Sequence, residues 1–417
     1  MQPQLTKKIG IASPIQISSL AKHLDNLSPE HLTLGLGGTA VNTIINGLID
    51  NGVSVSVYTL DQTKEITKPL VLRGPQLTVY IGTYRPKGRH RMLDFFRYEA
   101  KQIQGFIEQD KPDIVNAHWS YEFALGAIWS KYPHLITFRD TASEILRLHK
   151  DPYRLVRFFL DLQVKKTGSN FNVNSVYLQQ KLQSPRLELP VIPNPVNEAY
   201  LAEQSKHHPT GTVKIVAVLN GWSKRKNATK ALQAFKLLRQ EFGDKVMFDI
   251  YGPGYAEKSE AQKWAQQNNC VNGVRFMGSL EHTELMDSVK DYDILLHPAI
   301  EESFGNTLLE GLALGLPVVA GESSGAVPWV LNFGKNGLLV NVTDEHEIYK
   351  ALKKLITNSV LYEALSQEGI HYVKERFTSK MIAASYLSLY DKIIKQSHSN
   401  GSIQKNKSKK VPYNSPS

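Results

Sequence analysis

The chain carries one cysteine, Cys270, which excludes an internal disulfide and any cluster of thiolate metal ligands. No histidine pair falls at zinc spacing, and no metal is expected. Long apolar runs are also missing. The longest apolar region, 307–321, is interrupted by Glu310 and is too short to span a bilayer. The first residues, MQPQLTKKIGIASP, have no apolar core of signal-peptide length, and a cytoplasmic protein is expected. Acidic residues are the scarcer charge, and the formal net charge is +10. Such an excess asks for an anionic partner, and nucleic acid, a phosphorylated substrate and an anionic membrane all qualify. With no helix-turn-helix, RNP or zinc signature, nucleic acid is not expected to be that partner. Part of the excess sits in Lys405 to Lys410, in a stretch whose serine, lysine and proline content reads as disordered.

What is present is a chain of 417 residues, long enough for two domains. Apolar strands alternate with amphipathic helices throughout, the pattern of parallel sheets covered on both faces. In the first half strands are expected at 8–12, 54–59, 77–81, 114–117, 135–138 and 171–173. In the second half they are expected at 214–219, 247–251, 274–277, 294–297 and 317–320. Between the halves, ELPVIPNP at 188–195 and the polar stretch 203–211 mark a boundary. The expected domains are 1–195 and 210–378, then a helix over 379–396 and a basic disordered tail over 397–417.

The most informative stretch is 297–320, HPAIEESFGNTLLEGLALGLPVVA. Pro298 stops a strand, a helix runs over 307–314, and Gly315 ends it. Glu302 and Glu310 bracket the Ser303-Phe304-Gly305-Asn306 turn that opens this helix. A helix start offers free N–H groups and the positive end of a dipole, so Gly305, Asn306 and Thr307 suit a diphosphate. Eight residues of helix rise roughly 12 Å, comparable with the span from a hexose across a diphosphate to a ribose. Two solvated surface charges would be the ordinary reading of two glutamates. Glu310, however, lies among Leu308, Leu309, Leu312 and Leu314, where an unpaired carboxylate is costly and a ligand diol would satisfy it.

Other constellations sit in loops. LGLGGT at 34–39 places Gly37 and Gly38 before a helix over 40–50, with the segment 14–31 separating it from the first strand. NGWSKRKNATK at 220–230 gathers Lys224, Arg225 and Lys226 at the carboxyl end of a strand, where open α/β sheets bind ligands. IYGPG, with Gly252, and FMGS end two later strands, and His118 ends another in NAHWSYEF.

Taken together, Glu302 through Glu310 resembles the E-x7-E signature of retaining glycosyltransferases of family 4, and the other segments fall in that family's order from about residue 8 to about residue 395. The resemblance implies an α/β protein of the GT-B fold, two Rossmann-like domains facing a central cleft, with the last helix crossing back to the N-terminal domain. Asn194 stands where the family has an asparagine before its linker. The implied donor-binding residues are Gly37, Gly38, Arg225, Lys226, Gly252, Ser303, Phe304, Gly305, Asn306, Thr307 and Glu310, with Glu310 on the ribose. His118 and Glu302 are implied as the catalytic pair, and Arg139 and Asp140 as the acceptor side. The implied activity is retaining transfer of a hexosyl group from a UDP- or GDP-sugar to a saccharide or lipid-linked saccharide, in bacterial surface polysaccharide assembly. The nucleotide sugar is then a co-substrate, and no cofactor is expected. Rival readings are an epimerase or glycogen-type synthase on the same fold, a protein that binds nucleotide sugar without turnover, and a basic nucleic-acid-binding protein.

Two further stretches, 84–101 and 145–166, interleave basic and apolar residues. Lying on an anionic membrane surface with Phe95, Phe96, Phe158 and Phe159 turned inward, they would hold the protein peripherally on the inner face of the plasma membrane.

Overall fold

The computed structural model describes residues 7–25, 27–63, 66–183 and 188–408, with side chains through residue 399. The chain divides into two compact units. One comprises the described residues of Met1–Asn174, Leu182–Ile192 and Lys380–Ser417, the other Ser175–Lys181 and Pro193–Ser379.

The N-terminal unit is built on β1 (Lys8–Ala12), β2 (Ser54–Asp61), β3 (Leu70–Arg73), β4 (Leu77–Thr83), β5 (Ile114–His118), β6 (His134–Phe138) and β7 (Phe171–Val173). Their order is β3-β4-β2-β1-β5-β6-β7. All neighbours are parallel except β3 on β4. β5 and β6 are buried along their whole length, as strands covered on both faces must be. β3 was not expected from the sequence, because LVLR is a short edge strand with only Leu72 buried.

The segment 14–38 is part of this unit's core and not a mere spacer. It forms two short 3₁₀ turns, Ser18–His23 and Pro29–Thr33, and buries Ile15, Ile17, Leu20, Leu24 and Leu34. The final helix, Ser379–Ser408, packs Ile382, Ala383, Tyr386, Tyr390 and Ile393 into the same core. It continues past residue 396, where the sequence reading ends it, so 397–408 are helical backbone. The rest of the expected tail, 409–417, lies outside the described residues.

The second unit carries β8 (Val213–Val218), β9 (Val246–Tyr251), β10 (Val274–Gly278), β11 (Ile294–His297), β12 (Val318–Gly321) and β13 (Leu338–Val340). The order is β10-β9-β8-β11-β12-β13, parallel throughout. Helix Ala228–Phe242 buries Ala231, Leu232, Phe235 and Leu238 against it, the helical spacing of an amphipathic face. The boundary stretch divides between the units: Ile192 N–H donates to Val173 O at 2.9 Å in the N-terminal unit, whereas after Pro193 the chain is held by the second, Val196 N–H donating to Phe377 O at 2.7 Å and Ala202 N–H to Ala313 O at 2.8 Å.

In both sheets the chain winds outward from its first strand, then returns to that strand's other side. Each first strand, β1 or β8, therefore sits at a reversal of strand order, beside β5 or β11. Ligands of open α/β sheets bind at the carboxyl ends of the strands at such reversals.

Candidate active site

At the reversal in the second unit, the loops leaving β8 and β11 are stitched together. Ile300 N–H donates to Arg225 O at 2.9 Å. Asn227, at φ +54°, a conformation asparagine tolerates, donates from Nδ2 to Pro298 O at 3.0 Å and Val342 O at 2.8 Å.

This frame gathers charge around Glu302. Lys226 Nζ donates to Glu302 Oε1, His297 Nε2 lies 3.4 Å from the same oxygen, and Arg225 Nη1 lies 3.8 Å from Oε2. Arg225 also donates to Glu301 O at 3.1 Å. The Glu302 and Lys226 side chains are only 13% and 9% exposed. Burial alone would raise the Glu302 pKa, but the His297 ring and the Lys226 ammonium outweigh it and hold the carboxyl well below its usual range. Glu302 is thus an ionised hydrogen-bond acceptor. Its backbone is equally constrained: Ala326 N–H donates to Glu302 O at 2.9 Å, and a Cβ on Gly325 would stand 2.3 Å from that oxygen.

Gly305, at φ +91°, caps helix Asn306–Ala313, and its conformation turns the chain so that the helix begins beside the charged cluster. Asn194 donates from Nδ2 to Asn306 Oδ1 at 2.7 Å, Ser175 Oγ donates to Ser303 O at 2.6 Å, and Thr307 Oγ1 lies 3.3 Å from His297 Nδ1. Phe304 corrects the sequence reading. It is 3% exposed and packs edge-on to Trp329 in the core, so it shapes the turn from behind.

Glu310 is a second correction. It does not wait unpaired for a ligand, because His282 Nε2 lies 2.8 Å from Glu310 Oε1. Burial lowers the His282 pKa, yet the Glu310 carboxylate overcomes this and leaves it raised. Gly252 also has a structural reason: at φ +124° it passes so close to β8 that a Cβ would meet Leu219 O at 1.9 Å.

In the N-terminal unit His118 ends β5 at the corresponding reversal. Arg139 Nε donates to His118 Nδ1 at 3.0 Å, and both residues are buried. Arg139 is therefore a support for His118, a contact the sequence reading did not anticipate. Asp140 accepts from Tyr121 OH at 2.9 Å, and burial pushes its pKa up to about 6 against the opposing Arg157 charge. Gly38, at φ +106°, caps helix Thr39–Asp50 and approaches Pro14 O too closely for a Cβ, whereas Gly37 faces open space.

The expectation of no metal also took the sequence to lack the Asp-x-Asp of metal-dependent transferases, yet it contains one such spacing, Asp291 with Asp293. It precedes β11, at the end of the sheet away from Glu302, and Asp293 Oδ2 accepts from Lys214 N–H at 2.7 Å. Among the described residues no group of three or more His, Cys, Asp or Glu is placed to hold a metal ion.

Two family models tile most of the chain: one described as Glycosyltransferase Family 4 matches residues 37–200, and one described as Glycosyl transferases group 1 matches residues 202–372. The chain is a family 4 glycosyltransferase. The transferase is 26% identical over 172 residues to an uncharacterized glycosyltransferase of Methanocaldococcus jannaschii, an alignment covering 41% of this chain and 43% of the relative's length. It is 22% identical over 317 residues to N-acetyl-alpha-D-glucosaminyl L-malate synthase of Bacillus anthracis, covering 73% of this chain and 81% of that one. Among solved structures, sucrose-phosphate synthase from Thermosynechococcus elongatus aligns with a TM-score of 0.72 at 15% identity, covering 94% of this chain and all of that one. That likeness establishes the GT-B fold, two Rossmann-like domains.

Proposed function

We propose that the transferase moves a hexosyl group from a UDP- or GDP-sugar to a saccharide or lipid-linked saccharide, with retention of anomeric configuration, without a metal ion, in bacterial surface polysaccharide assembly. The observation carrying this reading is the cluster of Arg225, Lys226, His297 and Glu302 beside the start of helix Asn306–Ala313. Cations next to a helix N-terminus suit a diphosphate, and an ionised carboxylate among them suits sugar hydroxyls.

As the bond from the anomeric carbon to the phosphate oxygen breaks, negative charge grows on the diphosphate. Arg225, Lys226 and the first N–H groups of the helix oppose that charge, which supports leaving-group departure without a metal. The acceptor oxygen bonds the anomeric carbon on the face the phosphate leaves, and its proton passes to the departing phosphate oxygen. Glu302, held ionised, accepts from sugar hydroxyls and supplies no proton. Glu310, braced by His282, accepts from the ribose diol through its other oxygen. His118 hydrogen-bonds a hydroxyl of the sugar or of the acceptor.

The basic stretches support a lipid-side partner, with a correction to the residues involved. Phe96 is fully buried, whereas Leu93, Phe95, Leu148, Leu155, Phe159 and Leu162 are exposed. Lys87, Arg89, Arg97, Arg147 and Lys150 are exposed in the same stretches. No helix among the described residues is long and apolar enough to cross a membrane. An anionic membrane surface fits this mixture.

Calorimetric titration of UDP, GDP and their sugar conjugates into the wild type and Glu310→Ala tests the donor site. Binding of one nucleotide, weakened by the substitution, is the expected result; no binding to either protein overturns the reading.

A further inference from the structure

The contact between Arg139 and His118 has a chemical consequence beyond packing. An arginine Nε carries a hydrogen and accepts nothing, so His118 Nδ1, 3.0 Å away, must be the bare, accepting nitrogen of the ring. The ring proton is then on Nε2, which is buried and has no hydrogen-bond partner in the protein. The groups facing the ring from other elements are Arg139, from the loop after β6, and Tyr386, from the final helix, edge-on at 6.4 Å. Tyr390 lies one helical turn beyond and hydrogen-bonds Asn116 on β5 at 2.8 Å. Among the described residues no carboxylate acts on the ring, and both burial and the Arg139 charge hold its pKa well below 6.5.

We propose that Arg139 is a positioning residue that locks His118 as a neutral ring bearing its proton on Nε2, so that His118 only donates a hydrogen bond and cannot serve as a general base. This rests on the glycosyltransferase reading for its use, and it adds a constraint. With His118 unable to accept a proton, the acceptor's proton must leave by another route, in keeping with transfer to the departing phosphate.

The test is ¹⁵N NMR of the histidine rings in the full chain, with His118→Gln identifying the His118 signals among the 13 histidines. In the wild type, His118 should show a protonated Nε2 and a bare Nδ1, unchanged from pH 5.5 to 8. In Arg139→Met the ring should sample both tautomers, and its pKa should rise yet stay below the ordinary histidine value of about 6.5, because the ring remains buried. Arg139→Lys keeps a charge but loses the planar donor, and should keep the low pKa while losing the single tautomer. A wild-type ring that is protonated on Nδ1, or that titrates near 6.5, overturns the proposal without any variant, so misfolding of Arg139→Met leaves it falsifiable. The glycosyltransferase role of His118 fails separately, if His118→Gln retains full donor turnover while the wild-type tautomer is as stated.

Discussion

The two sheets reverse strand order in the same way, yet they fill the reversal with opposite chemistry. Beside β11, the second unit assembles formal charges, with Lys226 on Glu302 and Arg225 close by. Beside β5, the N-terminal unit keeps a largely neutral network: Thr137 Oγ1 lies between Asn116 Oδ1 at 2.9 Å and Asn172 Oδ1 at 2.6 Å, Asn116 donates to Tyr390, and His118 is uncharged. Arg139 donates to the histidine, while the charges of Asp161 and Asp140 are taken up by Ser120 with Lys165 and by Tyr121. A shared fold thus sets where the strand ends converge, while the side chains placed there differ in charge; on the proposed function, the second unit's set suits a diphosphate and the first unit's a set of hydroxyls.

The largest test of that contrast removes a charge from the second unit. Lys226→Met leaves Glu302 ionised, nearly buried and short of its nearest cation, which should cost about 3–5 kcal/mol of stability. Lys226→Met with Glu302→Gln should recover much of the loss while remaining inactive. Urea unfolding of the three proteins measures the first effect and donor turnover the second. If the single and double variants are equally stable, the pair does not carry the charge balance of the site.

The acid limb sharpens the same point. The Glu302 pKa is depressed in the folded state, so its contribution is present above the ordinary carboxyl value of 4.5 and is lost as pH falls from there toward the folded value. Wild-type stability should therefore drop between pH 5 and pH 2 more steeply than that of the double variant. Parallel curves would mean that other carboxylates dominate acid unfolding.

A smaller effect belongs to His282. Its pKa is raised by Glu310, so the pair stabilises fully below about pH 6.5 and fades as pH rises through the folded value. His282→Asn should lower stability by about 1–2 kcal/mol at pH 6, with little change at pH 9, and should weaken nucleotide binding more at the lower pH. Binding that is insensitive to this substitution would separate His282 from the orientation of Glu310.

How legible this was follows from what each signal requires. The parallel strands could be read because unbroken apolar runs such as Ile294–His297 announce burial on both faces. β3 and β13 were not, being edge strands of four and three residues without a buried pattern. The segment 14–31 reads as a spacer because its buried Ile15, Ile17, Leu20 and Leu24 follow no helical or strand period. At the candidate site, the clustering of Arg225, Lys226 and Glu302 beside a helix start could be anticipated from strand-end position together with the family resemblance. Their partners could not: His282 and Ser175 reach their contacts from distant parts of the chain, and Asn194, though marked by the resemblance, gave no sign of its bond to Asn306, because no local pattern encodes such a pairing. Phe304 failed for the converse reason, since its place in the motif says nothing about which way the ring turns.

The smallest expected effect on the folded protein concerns the apolar surface of the N-terminal unit, and it separates that unit's partner from its fold. Leu93 is 84% exposed and Phe159 49%, so Leu93→Ser and Phe159→Ser remove little buried area and should change stability by no more than about 0.5 kcal/mol. Each apolar side chain entering a bilayer interface contributes on the order of 1.5–3 kcal/mol when fully buried. The double variant should therefore lose most of its co-sedimentation with vesicles containing anionic lipid while retaining nucleotide binding in the second unit. Raising the salt should weaken the wild type's vesicle binding, because exposed basic side chains such as Arg89, Arg97 and Arg147 act through a screened attraction. If the double variant sediments with anionic vesicles as well as the wild type does, these side chains do not meet lipid, and the surface serves some other partner.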